Sequence, residues 1–459
     1  MRVLHAIHDF LPRHRAGSEI YACELARQQR KRHDVFVLAA EYDPATAHGT
    51  LRWREYDGLT VIELVNNWEF GRFEDTYSSE RLNAQLRHVL DATAPDVLHV
   101  HNLLNLSFDL PRLAKERGTA AVATLHDYTL VCASGGQRVH VSDAHVCTTI
   151  EPERCARCFK ESAFSRQMAV GRITRGAFGR TAGRAGKLVH RLAPRLARSA
   201  AGAFEGRELG AGDIRRRLAY ARHVFETVDL FVAPSASIRD EFVRLGAPPD
   251  RMHLSDYGFA PVRSEPRRSR MPGEPLRVGF VGSLVWHKGA HVLVDAARGL
   301  TGPCEIHIHG DLNVSPEYVS RLRDSAAGAC VTFHGGFARD AAAAIYRSLD
   351  VLVVPSLWPE NSPLVIHEAF MHGVPVVGAR MGGVPELVTD GVSGLLYDAF
   401  SADALRSCLQ QLVNDRALLE TLAGHGPEVK TIEADALEWD ARYAQVTGRM
   451  MPTAAAAVP

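Results

Sequence analysis

The sequence predicts an α/β protein built from two doubly wound domains. Its 459 residues exceed one ordinary core and suggest two domains of roughly 200 residues each. Arg2–Ile7, a helix from about Ser18 to Arg30, and Val35–Ala39 read as one strand–helix–strand unit. Asp350–Val354, a helix over Leu364–Met371, and Val374–Val377 read as a second unit far down the chain.

Taken in order, the first unit places Gly17 at its helix start. A residue without a side chain there either lets backbone approach a ligand or simply makes a turn. Val97–Asn102 and Ala120–Leu125 are further strands, ending at His101 and at His126-Asp127. Sheets of this type bind ligands at the carboxyl ends of their strands, although a lone histidine at such a place is more often structural. Asp229–Ser235 reads as the strand that closes the first domain, with Ser255–Phe259 as its exit. Residues 263–275 are rich in Pro, Arg and Ser and read as a linker, bounding a first domain at 1–262 and a second at 276–430.

In the second domain, Leu276–Val281 is a strand that turns at Gly282-Ser283-Leu284. Lys288-Gly289 then precedes a helix running to Ala297. Ile306–Gly310 and Val331–Gly335 are strands, and Gly335-Gly336 would allow close approach of a ligand. Helices follow over Leu405–Leu412 and Leu418–Leu422. Glu433–Tyr443, within 431–449, is a final amphipathic helix. The tail 450–459 has too little to bury and is expected to be disordered.

The stretch from Val354 to Asp398 carries the chemistry. The strand breaks at Pro355-Ser356, and a loop holding Trp358, Pro359, Glu360 and Asn361 leads to Ser362-Pro363. A hydroxyl at the N-cap and proline at the first helical position mark a helix start, and Gly373 supplies its C′ residue. Free amides at Ser362–Val365 would suit an anionic phosphate. Glu360 and Glu368 flank that position as hydrogen-bond acceptors suited to sugar hydroxyls. The plainer alternative is a solvated loop residue and a helix-face charge.

Composition excludes several classes. Lys+Arg and Asp+Glu both number 53, so overall charge points to no nucleic acid or other polyanion. The N-terminus lacks the apolar core of a signal peptide, and no run of about 18 apolar residues occurs. A cytoplasmic protein is expected, whose eight cysteines serve as thiols or metal ligands. Four of them, Cys132, Cys147, Cys155 and Cys158, cluster in sequence and close with C-x2-C, and a structural zinc is one expectation for them. Two disulfides and four free thiols are the competitors. Residues 165–222 carry fourteen Lys and Arg against three acidic side chains. That segment reads either as a surface for anionic membrane or a diphosphate-linked acceptor, or as a solvated basic helix.

The motif Glu360-x7-Glu368 is embedded in Pro359-Glu360-Asn361-Ser362-Pro363, Glu368-Ala369, Gly373 to Val377, Gly382-Gly383 and Glu386. This wording closely resembles the donor-binding half of the retaining glycosyltransferases of the GT-B fold, family 4. The resemblance covers nearly the whole chain, with its specific motifs in 279–398. It implies two Rossmann-like domains facing across a cleft, a nucleotide-diphosphate sugar held mainly by the second, and a last helix that braces the first. By resemblance, Glu368 binds the ribose hydroxyls, Glu360 the transferred sugar and Lys288 the diphosphate. Asn361, Ser362, Pro363 and Leu364 line the donor, and Gly335 admits the base or ribose. Ser283 stands where many members carry an arginine. His126 in Thr124-Leu125-His126-Asp127 resembles the active-site histidine of the first domain. The expected catalytic set is His126, Glu360 and Lys288. The family's paired glycines ahead of a glutamate are here Ala16-Gly17-Ser18-Glu19, with Gly17 the remaining acceptor or phosphate contact.

Some family members bear similar cysteine insertions after the histidine-aspartate pair. No D-x-D tripeptide occurs, so the expected mechanism needs no catalytic metal or other cofactor. The leaving phosphate would deprotonate a glycan or polyprenyl-linked acceptor, in cell-surface polysaccharide or glycoconjugate synthesis at the inner face of the membrane. A nucleotide-sugar epimerase of the same fold, or a non-catalytic scaffold, are the rival readings.

Overall fold

The computed structural model describes residues 1–174, 203–204, 207–262, 270–271 and 273–449. Most of the basic run, linker residues 263–269 and the tail 450–459 therefore lie outside the described residues. The chain divides into two compact units. The first comprises Met1–Pro234, Arg239–Phe259 and Thr431–Pro459; the second comprises Ser235–Ile238 and Ala260–Lys430.

The first unit is built on an eight-stranded sheet. Its strands are β1 (Arg2–Ile7), β2 (Asp34–Glu41), β3 (Leu51–Tyr56), β4 (Leu59–Val65), β5 (Val97–Val100), β6 (Ala120–Thr124), β7 (Leu230–Ala233) and β8 (Met252–Leu254). They lie in the order β8-β7-β6-β5-β1-β2-β4-β3, parallel except for the β3–β4 hairpin. β1, β5 and β6 are apolar runs with almost every residue buried, as strands covered on both faces require. The hairpin turns at Asp57-Gly58, both at positive φ (51° and 75°), a type I′ combination that matches strand twist. The expected closing strand at 229–235 is not the last of this sheet. Three residues of β8 pair beyond it, too short an apolar run to stand out in sequence.

The helix Gly17–Gln29 and the final helix Ile432–Thr447 pack together in this unit. The latter is capped by Thr431, whose hydroxyl accepts from the Ala434 amide at 3.2 Å, and it buries Trp439 and Tyr443. Among the described residues no helix is long and apolar enough to cross a membrane.

The second unit holds six parallel strands: β9 (Leu276–Val281), β10 (Cys304–His309), β11 (Val331–Gly335), β12 (Val351–Val354), β13 (Val376–Ala379) and β14 (Gly394–Tyr397). Their order, β11-β10-β9-β12-β13-β14, reverses direction between β9 and β12. Such a reversal opens a crevice at the carboxyl ends of the two strands, because their following connections leave on opposite sides. Leu352, Val354, Ile366, Val376 and Val384 belong to the core beneath it.

Candidate active site

The two connections that leave this crevice meet each other. After β9 a single turn, Trp286–Lys288, ends at Gly289 with φ 74°. A Cβ on Gly289 would lie 1.8 Å from the Pro355 carbonyl oxygen, so only glycine lets this turn press against the end of β12. The Leu357 amide donates to the His287 carbonyl at 2.8 Å and fastens the two loops. Lys288 is thereby aimed at Glu360: Nζ donates to Oε1 at 2.5 Å. The Ser356 hydroxyl donates to the same oxygen at 2.7 Å, and the ammonium lies 5.4 Å from the Trp358 ring centroid.

Glu360 is buried, with 5% of its surface exposed. Burial alone would raise its pKa; the Lys288 charge and the hydrogen bonds from Lys288 and Ser356 outweigh it and hold the carboxyl below its usual range. Its main chain is pinned as well, by the Gly383 amide donating to the Glu360 carbonyl at 2.7 Å. Side chains at Gly382 or Gly383 would strike the Glu360 and Asn361 carbonyls at 2.3 and 1.8 Å.

The helix Leu364–Met371 begins just beyond, but not as its sequence suggests. Pro363, with ψ 115°, is the N-cap, and no side chain caps the first turn. Ser362 is not the cap; its hydroxyl lies 2.9 Å from His367 Nε2, because the extended Pro363 turns it away from the helix amides. Asn361 Oδ1 accepts from the Ser235 hydroxyl at 2.9 Å. Glu368 accepts at Oε2 from the Tyr346 hydroxyl at 2.6 Å, and burial raises its pKa despite that bond. Ser283 is exposed, and Gly335 ends β11 at φ 80°. The structure thus joins Lys288 to Glu360 directly, with Asn361–Leu364 following Glu360. Glu368 is engaged from another side by Tyr346, a partner that sequence reading missed.

In the first unit, Gly17 opens the helix Gly17–Gln29, whose N-cap Ala16 supplies no side-chain cap. His126 follows β6 and forms the half-buried end of an imidazole series whose other members, His101 and His5, are buried. Its Nε2 lies 3.0 Å from His101 Nδ1, and its Nδ1 lies 2.8 Å from the Tyr257 hydroxyl. His101 Nε2 in turn lies 2.9 Å from His5 Nδ1, and His5 Nε2 lies 2.9 Å from Gln29 Oε1. Burial depresses His126 to about 3 and His5 to about 4, and holds His101 well below its ordinary value. These rings are neutral at physiological pH. His5, Gln29 and Tyr257 were not legible as a set; the available signal was histidine at alternate positions in otherwise apolar strands.

The four cysteines gather around the short antiparallel hairpin of Val139–His140 and His145–Val146 and the helix that follows it. Cys155 and Cys158 lie three residues apart on the helix Pro152–Glu161. The Cys147 amide donates to Arg138 O at 2.8 Å and the Cys132 amide to Tyr128 O at 2.7 Å. Cys158 Sγ lies 3.6 Å from Val139 O. Burial, then the charges of neighbouring thiols, push Cys155 up to about 12; burial also pushes Cys158 to about 11. Among the described residues, the groups of three or more ligand atoms within 4.8 Å of one another are His5–His99–His101 and His8–Asp9–Glu19. No three of the cysteine sulfurs all come within that distance of one another.

Two family descriptions match the chain, Glycosyltransferase Family 4 over residues 15–145 and Glycosyl transferases group 1 over 275–415. The chain belongs to this family of glycosyltransferases. Among curated proteins it is similar to the amylovoran biosynthesis glycosyltransferase AmsK of Erwinia amylovora, 26% identical over 219 residues, covering 45% of this chain and 54% of that protein. It is also similar to D-inositol 3-phosphate glycosyltransferase of Rhodococcus opacus, 30% identical over 230 residues, covering 46% and 50%. The chain spans about half the length of these relatives. Among solved structures it resembles sucrose-phosphate synthase from Thermosynechococcus elongatus, with TM-score 0.63, 17% identity and coverage of 97% and 99%. Anabaena HepE in complex with UDP-glucose gives TM-score 0.57 at 17% identity, again covering 97% and 99%. The fold is GT-B, with two Rossmann-like domains.

Proposed function

We propose that the protein is a retaining glycosyltransferase that moves a sugar from a nucleotide-diphosphate donor to a glycan or lipid-linked acceptor in polysaccharide or glycoconjugate synthesis. The observation that carries this reading is the Lys288–Glu360 pair at the strand-order reversal of the second unit, beside a helix start with no side-chain cap. A diphosphate gains negative charge as the glycosidic bond breaks. An ammonium and free helix amides aimed at that charge stabilise it more in the transition state than in the ground state. Donor binding would recruit Lys288 to the diphosphate and leave Glu360 for the sugar hydroxyls, with Glu368 on the ribose. Ser283, Gly335 and the Asn361–Leu364 turn would complete the donor site, and the motif assigns His126 to the transferred sugar.

In this mechanism the anomeric carbon–oxygen bond breaks with its electron pair going to the diphosphate. The acceptor hydroxyl forms the new bond on the same face and gives its proton to a phosphate oxygen. No catalytic metal is required, since Lys288 and the amides fill that role. Gly17 would serve the acceptor side, and the basic segment 165–222 would hold the enzyme against anionic lipid at the inner face of the membrane. A structural zinc on Cys132, Cys147, Cys155 and Cys158 would pin the segment that follows His126.

A thermal-shift panel of nucleotide diphosphates and their sugars tests the donor, beginning with UDP and UDP-glucose because HepE is described in complex with them. Product analysis then separates the readings: a sugar transferred to acceptor with retained configuration supports the proposal. An isomerised sugar nucleotide formed from donor alone would sink it.

A further inference from the structure

The imidazole series in the first unit has a direction, and one amide sets it. Gln29, His5, His101, His126 and Tyr257 form an unbroken line of four contacts between 2.8 and 3.0 Å. A neutral imidazole donates through one nitrogen and accepts through the other. Three neutral imidazoles in line therefore have only two consistent arrangements, with every hydrogen pointing toward Gln29 or every hydrogen pointing toward Tyr257. Any mixture sets two N–H groups or two lone pairs face to face.

The choice rests on the Gln29 side chain, whose oxygen and nitrogen are nearly isosteric. With Oε1 toward His5, the Gln29 amide nitrogen is buried without a partner. With the amide turned over, its two hydrogens meet two acceptors. One is His5 Nε2 at 2.9 Å; the other is the Tyr443 hydroxyl oxygen at 3.4 Å. Tyr443 remains free to donate to His99 Nδ1, 2.6 Å away, and His99 Nε2–H to Thr124 Oγ1 at 2.8 Å. Only the Gln29 carbonyl oxygen is then unpaired, and a buried carbonyl is more readily left so than a buried N–H.

We propose that Gln29, His5 and His101 are positioning residues for His126: the Gln29 amide donates to His5, the hydrogens run outward along the series, and His126 is held as its Nδ1–H tautomer donating to Tyr257. Both ring nitrogens of His126 are then committed inside the protein. The ring acts through its fixed plane and not as a proton-transfer group, since taking a proton from substrate would break the whole line. This rests on the reading that His126 serves sugar transfer.

Histidine-selective nitrogen-15 NMR at neutral pH reads the tautomers without any donor or acceptor, with signals assigned by loss in His5→Gln, His101→Gln and His126→Gln. The wild type is expected to show His5, His101 and His126 all protonated at Nδ1. Gln29→Glu offers His5 only an acceptor, so all three are expected to move to the Nε2–H form. Turnover should fall about tenfold or more with the ring in the wrong tautomer, while the donor-induced thermal shift persists. If Gln29→Glu does not fold, Gln29→Met serves: it imposes no direction, and His126 should populate both tautomers. A wild-type mixture, or a His126 tautomer unmoved by both variants, overturns the proposal. A directed series in a protein that transfers no sugar would instead overturn only the assignment of His126 to catalysis.

Discussion

Lys288 Nζ sits 2.5 Å from Glu360 Oε1, a charge pair formed between the two loops that leave β9 and β12. The Glu360 side chain is nearly sealed, at 7% exposure, while Lys288 keeps 30%. The lysine is therefore the partner able to swing to an incoming anion. Lys288→Ala is expected to lower turnover by about 10²-fold or more, the scale of removing one preorganised charge stabiliser. Chelating divalent metal should leave wild-type turnover unchanged. Steady-state kinetics with and without chelator check both; wild-type turnover in the variant would remove Lys288 from the site.

Glu368 should act on donor affinity more than on turnover. Glu368→Ala is expected to weaken donor binding about tenfold, the loss of a hydrogen bond or two. Tyr346→Phe strips the carboxylate of its 2.6 Å donor and should cost about 1–3 kcal/mol of stability. Because burial raises the Glu368 pKa, the group becomes protonated at a higher pH than an ordinary carboxyl. Donor affinity is expected to decline as pH falls through that raised value, and calorimetric titration across acid pH would show it.

Much of the second unit was legible because short apolar runs dictate buried parallel strands. The helix Leu364–Met371 and the strand Val351–Val354 follow from their hydrophobic pattern and flanking Pro and Gly. The role of Ser362 was not legible, since the N-cap preference of serine loses to the extended conformation of Pro363. The imidazole series was hidden for a different reason. His5 and His101 meet only through the β1–β5 register, which sets His5 beside His99 and the His101 amide on Ala6 O, and no local pattern encodes that register.

Acid should unfold the first unit through those histidines. His5 and His126 have folded pKa values of about 4 and 3, below the 6.5 of an unfolded histidine. Between these limits the unfolded chain binds more protons, so stability rises with pH and is lost as pH falls below about 6.5. Each fully depressed histidine contributes up to about 1.4 kcal/mol per pH unit in that window. Urea unfolding at pH 7.0 and 5.5 should show this slope, and His5→Gln should flatten it. A pH-independent midpoint would contradict the buried, neutral assignment.

Metal analysis of protein purified without chelator decides the role of the cysteines. About one zinc per chain is expected, held by four thiolates. Cys155→Ser should lose it and increase proteolysis around 132–158. Closing the sulfurs to a tetrahedral shell requires the hairpin and the helix Pro152–Glu161 to draw together, with the buried Arg217 nearby to offset thiolate charge. A metal-free protein, unchanged by Cys155→Ser, would end the zinc reading.

The first unit is not contiguous in the chain. The backbone leaves it at Phe259 and re-enters at Thr431, where the two crossings pair as a parallel bridge and the Ile432 amide donates to Phe259 O at 2.8 Å. Tyr21 bonds Asp435 at 2.8 Å, and His99 bonds Tyr443 at 2.6 Å. During synthesis, the face of the sheet that carries His5 and His99 must therefore wait uncovered while about 170 further residues emerge. A ribosome stalled before residue 431 would display a first unit lacking its lid helix, with a row of histidines open to water and free to titrate. The segment that dries out these strands is translated long after the strands themselves.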